Sequence, residues 1–318
     1  MIRHLATAAG VLASLLAAVA LLIRFVPIRS EVVLALAAAA PYLTAAAVLG
    51  LVCFVVARRR PATVVAAILC VALIVLLLPR YLGPDPAPAN SVPVRVLSLN
   101  LGMGQADPQS VRSAAESADV LVLQELTPQA AHGLAQAGIE EVFAHRVIEP
   151  RPGAAGIGVY SRYPIVDHTI VPGYSMPMLR ARLEIDGVPL RATVLAVHIA
   201  APLVSPLQYF TADIDRFPQT LRDVARDAGP GPVIVAGDFN ATRDMLPFRR
   251  LLDTGYHDAA EQAGAGLVRT FPSGRRYPPL LGIDHVLVRN CVATSAATVP
   301  VAGSDHRGLL ATVQVPVE

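Results

Sequence analysis

An acid and an amide two residues apart, Asp238 and Asn240, follow the apolar run Val233-Ile234-Val235-Ala236 and Gly237. Branched and small residues in that order read as a short buried strand, with Gly237 as its break. Side chains two apart on extended backbone point the same way. Asp238 and Asn240 can therefore meet one reacting group at a strand terminus, where open α/β sheets place their ligands. The same letters also describe a polar turn. What separates the two readings is whether other strand ends carry similar punctuation.

They do. The alternating stretch Val94 to Asn100 ends in an amide before the loop Leu101-Gly102-Met103-Gly104, and the apolar run Val120 to Gln124 stops at Glu125. A carboxylate directly after such a run is unusual unless it is solvated or paired. Leu179 to Ile185 and Leu190 to Val197 form a hairpin through Asp186-Gly187, and its second strand ends at His198. Asp284 opens a strand in Ile283-Asp284-His285. Asp305 and His306 share a Gly-bounded turn before a last strand from Leu309 to Val315. Helical stretches near 107–117 and 129–137, and one with Ile214, Phe217, Leu221 and Val224 on one face, interleave with these strands.

Carboxylates and amides without thiolates make a hard-oxygen site, which favours Mg²⁺, Mn²⁺ or Ca²⁺ over structural zinc. A divalent ion so held can neutralise a phosphoryl oxygen and lower the pKa of a bound water. Two histidines without a nucleophilic Ser or Cys beside them suit phosphate binding and proton transfer. The chain has no Walker loop, no G-x-G-x-x-G and no H-E-x-x-H. Metal-assisted phosphoester hydrolysis is the chemistry that remains. Cys53 and Cys70 lie in apolar runs, so Cys291 stands alone in the polar part and reads as a packing residue.

The elements that position these residues occupy only part of the 318-residue chain, because its 54% hydrophobic content is concentrated before residue 80. Apolar runs over about 5–23, 32–57 and 61–78 predict three transmembrane helices. The first has the outline of a signal peptide, but two more directly behind it favour an anchor. Pro41 kinks the second run or marks a shifted start. No charge interrupts the middle of any run, which argues against a translocation path. Arg58-Arg59-Arg60 assigns the loop after the second run to the cytoplasm, so the chain beyond Leu78 emerges on the opposite face. The reading is thus a multi-pass cell-membrane protein with an anchor over 1–80, a Pro/Ala-rich linker over 81–91 that holds the rest clear of the bilayer, and an extracytoplasmic catalytic domain over 92–318.

Every one of the 26 basic residues is arginine. Beyond residue 90 about 19 of them face about 22 acids, which is not the basic footprint of a non-specific nucleic-acid binder. A local basic groove would have to come from Arg243, Arg249, Arg250, Arg269, Arg275 and Arg276, residues that otherwise read as solvated surface.

Taken in order, Ser98-Leu99-Asn100, Leu123-Gln124-Glu125, His198, Gly237-Asp238-Phe239-Asn240, Ile283-Asp284-His285 and Ser304-Asp305-His306 resemble the motifs of the endonuclease/exonuclease/phosphatase superfamily, the deoxyribonuclease-I-like fold. The resemblance covers about residues 92–316, and the anchor makes it similar to a membrane-tethered bacterial branch. It implies an α/β (α+β) four-layer sandwich of two packed β-sheets flanked by helices, with the site at one end. It also implies Mg²⁺, with Mn²⁺ as a substitute, held by Glu125 with Asn100 beside it and Asp305 assisting. Asp238 would orient or deprotonate the attacking water, and Asn240 would hold the phosphate or the nucleophile. His198 and His306 would contact phosphate oxygens, Asp284 would orient a histidine, and either histidine could protonate the leaving oxygen. The substrate is a phosphoester: a lipid or lipid headgroup suits the tether, a nuclease acting on extracellular DNA or RNA is the alternative, and a non-catalytic binding module on the same fold is the reading from another class.

Overall fold

A computed structural model describes residues 1–83 and 86–317. Four helices come first: α1 (Ile2–Leu22), α2 (Glu31–Leu43), α3 (Ala45–Ala57) and α4 (Arg60–Leu77). Twelve strands follow: β1 (Ser91–Asn100), β2 (Val120–Gln124), β3 (His145–Glu149), β4 (Ile157–Ser161), β5 (Ile165–Val171), β6 (Met178–Leu183), β7 (Ala192–His198), β8 (Val233–Asp238), β9 (His257–Asp258), β10 (Asp284–Arg289), β11 (Val292–Val299) and β12 (Gly308–Pro316). Among them lie α5 (Pro108–Ala115), α6 (Pro128–Gln136), α7 (Ile139–Val142), α8 (Leu207–Ala228), α9 (Leu246–Leu252) and α10 (Ala259–Gln262).

The strands make two six-stranded mixed sheets, ordered β11-β12-β1-β2-β4-β3 and β5-β6-β7-β8-β10-β9. Each is antiparallel apart from one parallel pair, β1 with β2 and β7 with β8. The sequence accounts for how they stack. Central strands alternate two kinds of apolar residue and are buried on both faces. In β1, Val94 and Val96 enter the core between the sheets, while Leu97 and Leu99 face α5, α6 and α7. In β2, Val120 and Val122 face inward, and Leu121 and Leu123 outward. In β8, Ile234 and Ala236 point inward, and Val233 and Val235 meet the helical layer of α8 and α9. Small branched residues between the sheets and larger ones under the helices give the four layers. The hairpin β6–β7 forms as the Asp-Gly pair predicts, with Leu183 opposite Ala192 and Gly187 at φ 79°.

Gly237 does not break its strand. β8 runs through it to Asp238, and a Cβ there would lie 1.9 Å from the carbonyl oxygen of Val197 in β7. Close approach of two parallel backbones is what the glycine permits.

Two helical segments, Ile2–Phe25 and Arg60–Tyr81, are long and apolar enough to cross a membrane, and the pair α2 and α3 would make a third if counted together. The single span expected over 32–57 is instead two helices meeting at 58°. Pro41 removes one helical N–H, and the Thr44 hydroxyl bonds back to the Ala40 carbonyl (3.0 Å), two features that bend helices. α3 lies antiparallel along α1, from Arg3 donating to the Ala57 carbonyl to Ala47 packed against Ala17 and Ala20. α2 turns away onto the sandwich, where Leu34, Ala37 and Ala40 join Phe239, Met245 and Phe248 in the helical-side core.

The sandwich therefore does not stand clear of the helices on a spacer. Arg24 after α1 and Arg80 after α4 both pair with Asp244 of the sandwich, whose side chain is 1% exposed. Gly266 N–H donates to the Arg80 carbonyl (2.7 Å), and the Tyr42 hydroxyl donates to the Leu280 carbonyl. The linker adds no distance because contacts on either side of it have already joined the two parts.

Candidate active site

Register assembles the site. His198 pairs with Asp238 across β7 and β8, and Asp238 pairs with Asp284 across β8 and β10. In the other sheet Asn100 pairs with Gln124, and Glu125 follows at once. Period-two alternation then fixes direction: Asn100 shares a face with Val94 and Val96, His198 with Val194 and Ala196, Asp238 with Ile234 and Ala236, and Asp284 with Val286 and Val288. All four side chains inherit the inward face of their strands and project into the mouth between the sheets.

There they form one polar network. The Asn100 amide donates to Glu125 Oε1 (3.2 Å) and Asp238 Oδ2 (3.0 Å), and its oxygen accepts from the Gly102 N–H (2.9 Å). The other Glu125 oxygen accepts from Met103 N–H. His198 Nδ1–H donates to the Ala154 carbonyl (3.1 Å), which leaves Nε2 3.7 Å from Glu125 and 4.0 Å from Asp238. His306 Nδ1–H donates to Asp284 (2.8 Å), and its Nε2 lies 3.7 Å from Asp238. Asn240 N–H caps the free Asp238 oxygen (2.8 Å), while its side-chain amide donates to the Ile199 carbonyl (2.9 Å). Glu125 and Asn240 hold left-handed backbone, φ 57° and 48°, a conformation that costs free energy and that clusters at functional sites.

Burial of these groups shifts their titration. Desolvation and then the charge of Asp284 push Asp238 up to about 6, against the pull of His306 and His198. Desolvation would lower His306, but the Asp284 and Asp238 charges and the Asp284 hydrogen bond outweigh it and raise the imidazole to about 10. His306 is thus an imidazolium at neutral pH, sandwiched between an aspartate and the Phe271 ring 4.9 Å away.

Glu125 is the carboxylate with an open side toward the cleft, its side chain 14% exposed. A divalent cation fits this donor set: the ligands are hard oxygens, the Asp284 charge acts against that of Asp238, and Asp284 Oδ1 is buried without a hydrogen-bond partner. Two expected ligands are placed differently. Asn100 turns its NH₂ toward the carboxylates and spends its oxygen on Gly102, and Asp305 is exposed on the cleft rim. The tightest group of metal-capable atoms, within 4.8 Å, is instead Asp238, Asp284 and His306. Its His306 Nδ1 is held by Asp284, which leaves Nε2 facing Asp238 at 3.7 Å.

Two residues of the quoted motifs to which the sequence reading gave no role hold other site groups in position. Ser304 Oγ–H donates to the Asn100 carbonyl (2.7 Å) and accepts from His306 N–H (2.9 Å), holding the β11–β12 turn against the end of β1 in the same sheet. His285 bridges Asp258 (2.8 Å) and the Ala241 carbonyl (2.9 Å), fixing the loop after Asn240. Of the arginines that might have built a groove, Arg243 pairs with Glu261, Arg249 stacks on Phe25 and Arg269 stacks on Tyr42. Only Arg275 lines the cleft among the described residues.

The cleft, about 510 Å³, is bounded by Glu125, Asp238, Asn240, Asp305 and His306, and also by Leu34, Ala35 and Ala38 of α2. Among solved structures, an endonuclease/exonuclease/phosphatase from Bacteroides vulgatus superposes with a TM-score of 0.58 at 17% identity, covering 70% of this chain and 99% of that one. Truncated Caenorhabditis elegans TDP2 gives 0.57 at 15%, covering 70% and 98%. The 3′ phosphatase NExo from Neisseria, bound to a product DNA hairpin, gives 0.51 at 20%, covering 69% and 98%. These likenesses establish the fold. No curated protein sequence matches the chain. Residues 97–306 match the family model itself, and the chain belongs to the Endonuclease/Exonuclease/phosphatase family, a family of phosphoester hydrolases.

Proposed function

We propose that the chain is a membrane-anchored, divalent-metal-dependent phosphoester hydrolase, a phosphodiesterase or phosphatase, with its catalytic domain on the extracytoplasmic face. The observation that carries this reading is the register of His198, Asp238 and Asp284 on three adjacent strands, opposite Asn100 and Glu125 of the other sheet. Glu125 would hold Mg²⁺ or Mn²⁺, with Asn100 orienting its carboxylate. A cation bound there would supply positive charge to a phosphoryl oxygen and would acidify water.

The remaining steps belong to the side chains. Asp238, aligned by the Asn100 and Asn240 donors, takes a proton from the attacking water as its oxygen bonds to phosphorus. The ester P–O bond breaks, and the leaving oxygen collects a proton from His306 Nε2, whose other nitrogen Asp284 holds. His198 offers a second contact to a phosphoryl oxygen, and Asp305 stands at the rim.

Arginine placement supports the topology. Arg3 reaches Ala57 at the same end of the bundle as Arg58-Arg59-Arg60, while Arg24 and Arg80 at the other end are buried and share Asp244, which offsets one of their two charges. The asymmetry in free positive charge is therefore larger than the sequence suggests. A tethered nuclease is the second reading, favoured by the product DNA hairpin in the Neisseria relative and opposed by a cleft with one arginine.

The test is hydrolysis of a nitrophenyl phosphodiester by the full-length protein in lipid, with Mg²⁺ and with EDTA. Turnover should require the metal and fall roughly 10²–10⁴-fold in Asp238→Asn. A folded wild type that turns over no phosphoester in Mg²⁺ refutes the hydrolase reading.

A further inference from the structure

The active-site cleft has a polar floor and apolar walls, and one wall belongs to the anchor. Leu34, Ala35 and Ala38 of α2 line the same cleft as Glu125 and His306. α2 is fixed there by Leu34, Ala37 and Ala40, which are 3% exposed or less, and by Ser30, which accepts from the Val33 N–H at its first turn. The other end of α2 passes through Thr44 directly into the apolar α3. Leu203 and Val204 also line the cleft and present bulky apolar side chains that are 78% and 82% exposed. A cleft meant for nucleic acid would carry cationic walls and stacking aromatics; here, beside the catalytic-site His306, Arg275 and Phe271 are the only such residues among the described lining.

Resting on the hydrolase reading above, we propose that α2 is part of the substrate site and that the substrate is the phosphoester of a membrane lipid. Its alkyl chain lies against Leu34, Ala35 and Ala38 and against Leu203 and Val204, while its phosphate reaches Glu125 and Asp238. The occupant follows from continuity. The helix that forms the wall is covalently and spatially continuous with an apolar bundle of lipid-crossing length, so the cleft opens where a lipid can slide in without leaving its bilayer. Large exposed aliphatic side chains beside such an opening gain free energy from contact with acyl chains, whereas in water they cost it.

The experiment uses full-length protein in phosphatidylcholine vesicles and two nitrophenyl phosphodiesters that differ only in carrying a methyl or a hexadecyl group. Sharing a vesicle raises the hexadecyl rate for any anchored enzyme, so the deciding quantity is how the hexadecyl-to-methyl ratio of kcat/KM responds to the wall. Leu203→Asp with Val204→Asp, and separately Ala35→Phe, should each lower that ratio on the order of tenfold, the effect of about two methylenes losing their apolar contact. Val166→Asp, on a remote exposed position of β5, should leave it unchanged. An unchanged ratio in both wall variants overturns the proposal, as does faster turnover of a DNA hairpin than of the hexadecyl ester. Absence of turnover on every ester in wild type would instead sink the hydrolase reading beneath it.

Discussion

Asp244 joins the amino-terminal helices to the sandwich, and its removal has a calculable cost. Its carboxylate receives Arg80 through two hydrogen bonds, at 2.7 and 3.2 Å, and Arg24 through a third contact. The three side chains are 1%, 8% and 3% exposed, so none is paired through water. In Asp244→Ala two guanidinium groups remain buried side by side with Arg249 nearby. Removing one partner of a buried ion pair costs about 3–5 kcal/mol. For a cooperative unit of about 150–250 residues each kcal/mol lowers Tm by about 2–4 °C, so the variant should melt about 6–20 °C lower. Asp244 follows Asn240 by one helical turn's worth of chain, and its neighbour Met245 lines the cleft; activity should fall with stability.

The complementary variant makes the reasoning refutable. Replacing all three charges together, Asp244→Leu with Arg24→Met and Arg80→Met, removes the desolvation cost along with the attraction and should melt near wild type or above it. Thermal unfolding of full-length protein in one detergent checks both. A single Asp244→Ala variant that melts within about 2 °C of wild type, or a triple variant that falls as far as the single, would show that the junction rests on the apolar contacts of α2 and not on the charges.

Other consequences are more local. Gly237→Ala would drive a methyl into the Val197 backbone and should cost about 3 kcal/mol or more in a urea unfolding series while displacing Asp238. Asp284→Asn removes the charge that chiefly raises His306, so the alkaline limb of kcat/KM, where the acid loses its proton, should move to lower pH; an unmoved limb would exclude His306 as the acid. Burial would raise Asp258, but the His285 hydrogen bond and charge outweigh it and hold the carboxyl below its ordinary value. Its folded pKa being depressed, the stabilisation is complete above the unfolded value of about 3.9 and is lost as pH falls through the folded one. Tm measured against pH should therefore drop less on the acid side in Asp258→Asn than in wild type, from a lower plateau.

What could be read from the sequence, and what could not, divides along a physical line. The alternation Val120-Leu121-Val122-Leu123 and the run Val233 to Ala236 mark strands, so the strands and the placing of Asn100, His198, Asp238 and Asp284 at their ends were legible from local letters, while the two packed sheets followed from the resemblance and the inward direction from the structure. Residue types at strand ends then identified the polar groups, though not their pairing: that Asp284 serves His306, or that Asn100 offers its NH₂ and not its oxygen, depends on rotamers set by Ser304 and Gly102. Gly237 misled because a glycine that breaks a strand and one that lets two strands touch are the same letter. The anchor was least legible. Ala-rich α2 carries no periodic mark that distinguishes a lipid neighbour from a protein one, since Leu34 and Ala37 would be equally comfortable against either. The sign that these helices pack on the sandwich lies 164 residues beyond Arg80, in an acid that sits unremarkably in a polar loop. A buried aspartate between two arginines at the ends of apolar helices makes sense only if those ends meet the sandwich, and α2, which leaves from one of those ends, lies along the cleft that holds Glu125 and His306.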